Sequence, residues 1–250
     1  MSPVTGHIRG LHGQVVNDLG MAIASGVLRA HEQIVPEQVG ARLGISRPVV
    51  REALRVLESK GMVTARPKTG TRVLPVTSWD VLDKEIITWR VHGPQRDAQL
   101  AELLDLRTVI EPLAARRCCD QATTEIIDGL FDICAQMEQA VAAENHEAFT
   151  QADVLFHTTI LMNSGSHTLA RLTGAIEAVL RARESLHLMP DHVDSSAAEA
   201  HRRIVEAIRD ADAEAAENAS RELVQVAADE IGHRLRSAER KLALETHDAK

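Results

Sequence analysis

The segment from Leu43 to Val63 constrains the fold of this chain more than any other. Gly44 suits the left-handed residue that ends a helix, and Ser46, two residues later, is a residue type that caps the start of the next helix. Pro48 fits the first turn of that second helix, where its missing N–H has no intrahelical partner. Two helices joined by so short a turn predict a helix-turn-helix.

The second of these helices is predicted to have an apolar face and a cationic face. Residues suited to burial recur at helical spacing, and they are Val50, Leu54 and Leu57. The cationic face carries arginines at positions i, i+4 and i+8, namely Arg47, Arg51 and Arg55. Arginine stripes are also common on solvated surface helices, so the periodicity alone leaves the role of this stripe open.

The residues after this helix favour a nucleic-acid-binding role for the stripe. Gly61 ends the helix, and residues 62–66 and 71–74 have the pattern of two short strands, joined by Pro67-Lys68-Thr69-Gly70. A winged helix-turn-helix places its second helix in the DNA major groove and its hairpin tip near phosphate or the minor groove. Gly70 would allow a close backbone approach, and Arg72 would add charge. The candidate DNA-contacting residues are Ser46, Arg47, Val49, Arg51, Arg55, Arg66, Lys68, Thr69 and Gly70.

The charge is divided unevenly along the chain. Residues 1–76 carry 10 Lys and Arg against 5 Asp and Glu, a net charge of +5. The other residues have a net charge of −13, which brings the whole chain to −8. The N-terminal part therefore suits a polyanion, and the acidic remainder is expected to have another role. The absence of tyrosine and the scarcity of Phe and Trp argue against aromatic stacking of single-stranded nucleic acid.

Beyond residue 78 almost every segment has helical periodicity, with breaks near residues 92, 122, 144, 163, 189 and 210. The predicted fold class is mainly α: an N-terminal winged helix-turn-helix and a C-terminal bundle of six or seven antiparallel helices. The predicted boundaries are 1–74 for the winged domain, 75–78 for a linker, 79–240 for an effector-binding and dimerisation domain, and 241–250 for a disordered tail.

The sequence predicts a soluble, cytoplasmic protein without membrane contact. No signal peptide is visible, and no apolar run approaches the roughly 20 residues that a membrane span needs. Three cysteines, Cys118, Cys119 and Cys134, are too few for a disulfide framework and lack metal-type spacing.

A few polar residues fall where the bundle pattern predicts core. Asp153 and His157 lie one helical turn apart, and His201 lies on a later helix; together they would suit Zn²⁺, Ni²⁺ or Mn²⁺. A core or capping role is the alternative for these residues. Arg107 either pairs with Glu111 on a solvated face or points inward and binds a carboxylate.

These motifs, in this order, resemble those of a GntR-superfamily transcription factor of the FadR type. The resemblance rests on residues 43–63, on the wing, and on Asp153-x2-Phe156-His157 with Glu199-x-His201-x2-Ile204-x3-Ile208. It implies an all-helical FCD effector domain and a homodimer on a short palindromic DNA operator. It also implies that Arg47 and Arg51 contact base edges, that Arg107 binds an effector carboxylate, and that Asp153, His157 and His201 bind a metal.

The chain departs from the family pattern in two places. The family's fourth metal ligand, usually a histidine, should fall near position 223, where this chain has Leu223. The expected metal site therefore has three protein ligands, with water or effector completing it, or has lost its metal. Residues 36–39, at the start of the predicted second helix (residues 36–43), lack an arginine that many relatives place there for a phosphate.

The Trp79–Trp89 region and the Glu111-Pro112 step further resemble the branch that senses sugar acids such as gluconate or galactonate. Arg181 and His187 are candidate lining residues of the effector pocket. The expected function is a repressor that a small carboxylate, a sugar acid or hydroxy acid, releases from DNA. A metal-dependent hydrolase or lyase is the alternative, but no His-Glu-x-x-His motif, nucleophile elbow or phosphate loop is present.

Overall fold

The structure, a computed structural model, describes residues 10–67, 70–186, 188 and 195–248. It divides into two compact units, one ending at Arg96 and the other beginning at Asp97. The described residues are mainly helical with one small sheet, which confirms the predicted fold class.

The first unit contains the predicted helix-turn-helix and wing. Its elements are α1 (Leu11–Ala24), β1 (Gln33–Ile34), α2 (Pro36–Leu43), α3 (Arg47–Ser59), β2 (Val63–Arg66), β3 (Gly70–Val73), a 3-10 turn (Val76–Ser78) and α4 (Lys84–Arg90). The sheet is antiparallel in the order β1-β3-β2, and Arg72 of β3 lies opposite both Gln33 and Thr64. Strand β1 was not predicted, because two residues are too short to produce a periodicity.

Local chemistry explains the turn between α2 and α3. Gly44 follows α2 in the left-handed conformation, with a φ of 67°. Ser46 is extended at the N-cap of α3, but its hydroxyl makes no capping hydrogen bond, so that part of the prediction is wrong. Val50 and Leu57 of α3 are fully buried in the core of the unit, as their spacing predicts.

The residues after the wing belong to the first unit, whereas the sequence placed a linker at 75–78 and assigned the following residues to the second domain. Helix α4 buries Trp89 in the core of the first unit, and its indole N–H donates to Oδ1 of Asn17 at 3.0 Å. The ring lies against Gly20 of α1, where an added Cβ would come within 2.6 Å of it. The boundary therefore shifts to residue 96, because apolar packing in α4 continues the first core.

The second unit is a bundle of helices. Its elements are α5 (Arg96–Cys118), α6 (Thr124–Ala142), α7 (His146–Met162), α8 (His167–Ala170), α9 (Thr173–Ser185), α10 (Ser195–Arg209) and α11 (Ala213–Asp248). Helix α7 packs against α6 and α9, and α10 packs against α6 and α11. The described helices agree with the six or seven predicted.

The C-terminal helix is longer than predicted. The sequence assigned residues 241–250 to a disordered tail, but α11 continues to Asp248. Its last turns are rich in Ala, Leu, Glu, Arg and Lys, which are strong helix formers. Within the described part of the chain, no helix is both long and apolar enough to span a bilayer.

Candidate functional site

Helices α7 and α10 bring together the three residues predicted to bind a metal. The Nε2 atoms of His157 and His201 lie 3.4 and 3.0 Å from the same oxygen, Oδ1 of Asp153. One potential ligand atom from each residue lies within 4.8 Å of the others, and all three side chains are buried. The i, i+4 spacing places two of them on one face of α7, and helix packing adds the third from α10.

The other ring nitrogen of each histidine is held by an acceptor. Nδ1 of His157 lies 2.7 Å from Oε2 of Glu111, and Nδ1 of His201 lies 2.7 Å from the carbonyl oxygen of Ala197. With each Nδ1 donating to its acceptor, both Nε2 atoms face Oδ1 of Asp153, and a metal bound there would displace any proton that they carry. Metal-binding histidines are oriented in this way, and two imidazoles with one carboxylate suit Zn²⁺, Ni²⁺ or Mn²⁺. The three residues therefore fit a divalent metal.

Arg107 of α5 extends this cluster. Its Nε donates to Oε1 of Glu111 at 2.5 Å and its Nη2 to Oε2 at 3.3 Å. The side chain is only 1% exposed, and its Nη1 has no hydrogen-bond partner within the described residues. Arg107 thus combines the two alternatives that the sequence left open, since it pairs with Glu111 and also points inward.

Sequence reasoning did not assign Glu111 to the site. It lies on the same face of α5 as Arg107, one turn later, and it connects the arginine to His157. The sequence feature that could have indicated Glu111 is its position four residues after Arg107 in a largely apolar stretch. Local spacing alone fits a solvated ion pair equally well, so only the packing of α5 reveals the connection to α7.

Opposing effects set the charges in this cluster. Burial would raise the pKa of Glu111, but the Arg107 guanidinium and the His157 ring outweigh it and hold that pKa at about 2. Burial would lower the pKa of His157, but the Glu111 and Asp153 carboxylates raise it to about 9. The pKa of Asp153 lies well below its ordinary value, because contacts with the two histidines outweigh its desolvation. Both carboxylates are therefore charged at neutral pH.

A second arginine of the bundle is buried, but it is not the one that the sequence analysis named. Arg181 was predicted to line the pocket, but its side chain is 44% exposed and pairs with Glu177 at 3.0 Å. Two residues later on α9, Arg183 is buried, and its Nε has no hydrogen-bond partner in the described residues. A step of two residues turns a helix by about 200°, which places the two arginines on nearly opposite faces. His187, the other predicted lining residue, lies outside the described residues.

Arg183 was detectable from its neighbours in the sequence. It follows Val179 and Leu180 by four and three residues, and both are buried. Burial by itself lowers the pKa of Arg183, and the like charge of Arg107 lowers it further while Asp153 opposes the change. Helix α9, which carries Arg183, packs against α7, which carries Asp153 and His157.

A small cavity lies beside the cluster, between α5, α7, α10 and α11. Its lining includes Glu111, His157 and Ser220, and its volume of about 10 Å³ is room for roughly one water molecule. Leu223, at the position expected for a fourth metal ligand, is partly buried against the apolar core of the bundle. In the part of the chain that the structure describes, the group that could hold a metal ion consists of the three predicted residues.

The arginine stripe of α3 is exposed. Arg47 pairs with Glu37 of α2 at 3.5 Å, and Arg55 pairs with Glu52 at 2.6 Å. Arg51 is exposed too. Three other candidate residues lie nearby or in the wing: Val49 is partly buried against the core, whereas Arg66 and Gly70 are exposed and face each other across β2 and β3. Lys68 and Thr69 lie outside the described residues.

A side-chain hydrogen bond joins the helix that carries the stripe to the wing. Oε1 of Glu58, on α3, accepts a hydrogen bond from the backbone N–H of Ala65 in β2 at 2.7 Å. In the wing itself, Arg72 donates to the carbonyl oxygen of His31 at 2.9 Å. The predicted positive charge of Arg72 is therefore engaged with the backbone of its own unit.

Comparisons with known proteins agree with this architecture. Residues 11–73 match the family of bacterial regulatory proteins called gntR, and residues 102–226, half of the chain, match the FCD domain. An uncharacterized HTH-type transcriptional regulator of Escherichia coli, YieP, is 29% identical over 188 residues, which are 75% of this chain and 80% of that protein. The galactonate operon transcriptional repressor of E. coli is 27% identical over 177 residues, 70% of this chain and 76% of that protein.

A solved structure shows the same fold. The protein Lar, which controls expression of the Listeria monocytogenes agr system, superposes with a TM-score of 0.60 at 16% sequence identity. The match covers 91% of this chain and 99% of Lar. The winged helix-turn-helix, the helical bundle and the two family matches lead to one conclusion. This chain belongs to the GntR family of bacterial regulatory proteins with an FCD domain, and it is a DNA-binding transcriptional regulator rather than an enzyme.

Proposed function

We propose that this protein represses transcription as a homodimer on a palindromic operator and is released when a small carboxylate, a sugar acid or hydroxy acid, binds in the FCD bundle. One observation carries the proposal: Arg107 is fixed by Glu111 in the bundle interior, yet its Nη1 is buried and unpaired within the described residues. Leaving a buried donor unpaired costs about 1–3 kcal/mol, which an effector carboxylate would recover. The similarity to a galactonate operon repressor supports a sugar acid.

The metal-binding residues have a role in this proposal. Asp153, His157 and His201 would hold a divalent ion, and Glu111 and the Ala197 carbonyl orient the two imidazoles. When bound, the ion supplies a positive centre with positions open to a carboxylate or hydroxyl oxygen. Arg107 then binds and orients the acid group of the effector, since its guanidinium is held on the other side by Glu111.

The exposed face of α3 would read the DNA. We assign Arg47 and Arg51 to base edges and Arg55 to phosphate. Arg47 and Arg55 have carboxylate partners that they would exchange for DNA, whereas Arg51 has no side-chain partner within the described residues. Arg51 is thus the arginine of the stripe whose guanidinium reaches a base without first breaking an ion pair.

A matched pair of variants on α5 tests the proposal. Operator binding would be measured with and without galactonate and gluconate for Arg107→Met and for Arg116→Met, whose arginine is exposed and pairs with Glu217. We expect both variants to bind the operator normally and only Arg107→Met to lose the response to the acid. Coupling between two sites is typically about 1–3 kcal/mol, so the wild-type operator affinity should fall by roughly 5- to 150-fold. A response that survives Arg107→Met would contradict the assignment.

A further inference from the structure

Arg183 differs from the other charged groups in the bundle interior. Arg107 pairs with Glu111, and His157 lies between Glu111 and Asp153. Arg183 is only 7% exposed, and its Nε has no hydrogen-bond partner within the described residues. Leaving a buried donor unpaired is costly, so a ligand group that accepts a hydrogen bond from it gains binding free energy.

The position of Arg183 indicates what would pair with it. Helix α9 packs against α7, which carries Asp153 and His157. Arg107 reaches the same cluster from α5 through Glu111. Each of the two arginines keeps a buried N–H without a partner in the described residues, Nη1 of Arg107 and Nε of Arg183. The two open donors therefore come from different helices.

We propose that Arg183 is a second anion-binding residue of the effector site, and that the effector carries two acidic groups, one bound by Arg107 and the other by Arg183. This inference rests on the proposed function of the same site. A guanidinium binds carboxylate or phosphate with two parallel hydrogen bonds, so either group would satisfy Arg183. An anionic group beside Arg183 would also offset its burial, the largest cause that lowers its pKa, and the smaller effect of the like charge of Arg107. The class of effector is thus a dicarboxylic sugar or hydroxy acid, or a phosphorylated sugar acid.

Calorimetry on the full chain with matched acids tests this. The probes are three pairs of equal carbon number: galactarate with galactonate, glucarate with gluconate, and tartrate with threonate. A fourth comparison, 6-phosphogluconate with gluconate, replaces the second carboxylate by phosphate. We expect at least one diacid or the phosphorylated acid to bind about tenfold or more tightly than its monoacid. The reason is that the monoacid lacks the second anionic group and therefore one charged hydrogen-bonded contact.

The variants are Arg183→Met and, as the matched control, Arg181→Met on the exposed face of the same helix. Arg183→Met should reduce the preference for the diacid to within about twofold and leave monoacid affinity nearly unchanged, whereas Arg181→Met should keep the wild-type preference. Arg183→Lys retains the charge and should keep part of the preference. The melting temperature of the unliganded Arg183→Met protein should equal or exceed that of the wild type, since a desolvated guanidinium with an unpaired Nε is removed.

Two results would overturn the inference. In the first, no wild-type diacid or phosphorylated acid binds more tightly than its monoacid, whether or not the variants fold. In the second, Arg183→Met, folded by circular dichroism, weakens the mono- and diacids equally. Diacid binding that depends on Arg183 but does not release the operator would instead count against the proposed function and leave the anion site standing.

Discussion

Oε2 of Glu111 lies 2.7 Å from Nδ1 of His157, and this contact joins two sites that the sequence predicted separately. On its other side Glu111 accepts hydrogen bonds from Arg107. The candidate carboxylate-binding arginine and the candidate metal-binding histidines are therefore parts of one buried network. We therefore expect a change at either end to affect the other end through Glu111.

The acid stability of the protein should depend on Glu111. Its folded-state pKa of about 2 lies below the ordinary value of 4.5, so its charge stabilises the folded state fully above pH 4.5. That contribution, on the order of 3 kcal/mol, is lost as the pH falls from about 4.5 to about 2. Urea denaturation across this pH range should show a steeper loss of unfolding free energy for the wild type than for Glu111→Gln.

The same variant should be destabilised at neutral pH by about 3–5 kcal/mol, because Arg107 and His157 lose a buried partner. Glu222→Gln is the control, since Glu222 forms an exposed ion pair with Arg203 at 3.4 Å and such pairs contribute about 1 kcal/mol or less. If the unfolding free energies of the wild type and Glu111→Gln are equal at neutral pH and fall equally with pH, Glu111 contributes nothing to stability.

Substitution Leu223→His should strengthen metal binding. Leu223 lies on α11 one turn after Ser220, which lines the cavity beside His157 and Glu111. A histidine there would add a fourth ligand to the three, and tetrahedral four-ligand sites are the closed, tight form for zinc. Zinc titration with a competing chelator should show an affinity about tenfold or more higher than that of the wild type. Changes to metal ligands or to the residues that hold them commonly have effects of this size.

Val226→His is the control for that substitution, because Val226 lies three residues later on α11 and is exposed. It should leave zinc affinity at the wild-type value. Asp153→Asn should weaken zinc binding in both the wild-type and the Leu223→His backgrounds. If Leu223→His and Val226→His behave alike, position 223 does not face the metal-binding residues.

Arg51→Ala and Lys68→Ala should affect DNA binding differently. Loss of a base contact by Arg51 should cost about 1–3 kcal/mol on the operator and much less on random DNA. Loss of a phosphate contact by Lys68 should weaken binding to all sequences alike and lower the slope of log affinity against log salt. Titrations on both DNAs at several salt concentrations measure this, and equal losses for Arg51→Ala on the two DNAs would remove it from the base-reading set.

Gly20→Ala should destabilise the first unit. An added Cβ would lie 2.6 Å from the buried ring of Trp89, which has little freedom to move because its N–H is bonded to Asn17. Overpacking of this kind costs about 1–3 kcal/mol. Gly129→Ala in α6 is the control, since no atom lies within 4 Å of its Cβ and helix propensity predicts stabilisation of up to about 1 kcal/mol. Thermal denaturation that ranks the two variants in the opposite order would exclude the clash.

Much of the fold could be predicted from local sequence. The left-handed Gly44, the apolar spacing of Val50 and Leu57 and the two short strands depend on interactions within a few residues. The same holds for Asp153 and His157, because i, i+4 spacing places them on one face of a helix whatever that helix packs against. The residue types of the candidate site were therefore visible in the sequence.

The tertiary structure decided which of these residues meet. Local periodicity shows that a helix has a buried face but does not identify its neighbour, so it could not show that Glu111 joins Arg107 to His157 or that α4 belongs to the first core. It also left open which arginine of α9 is buried. Contacts between residues far apart in the chain depend on how whole helices pack, and that packing determines the charges and the partners of the buried groups.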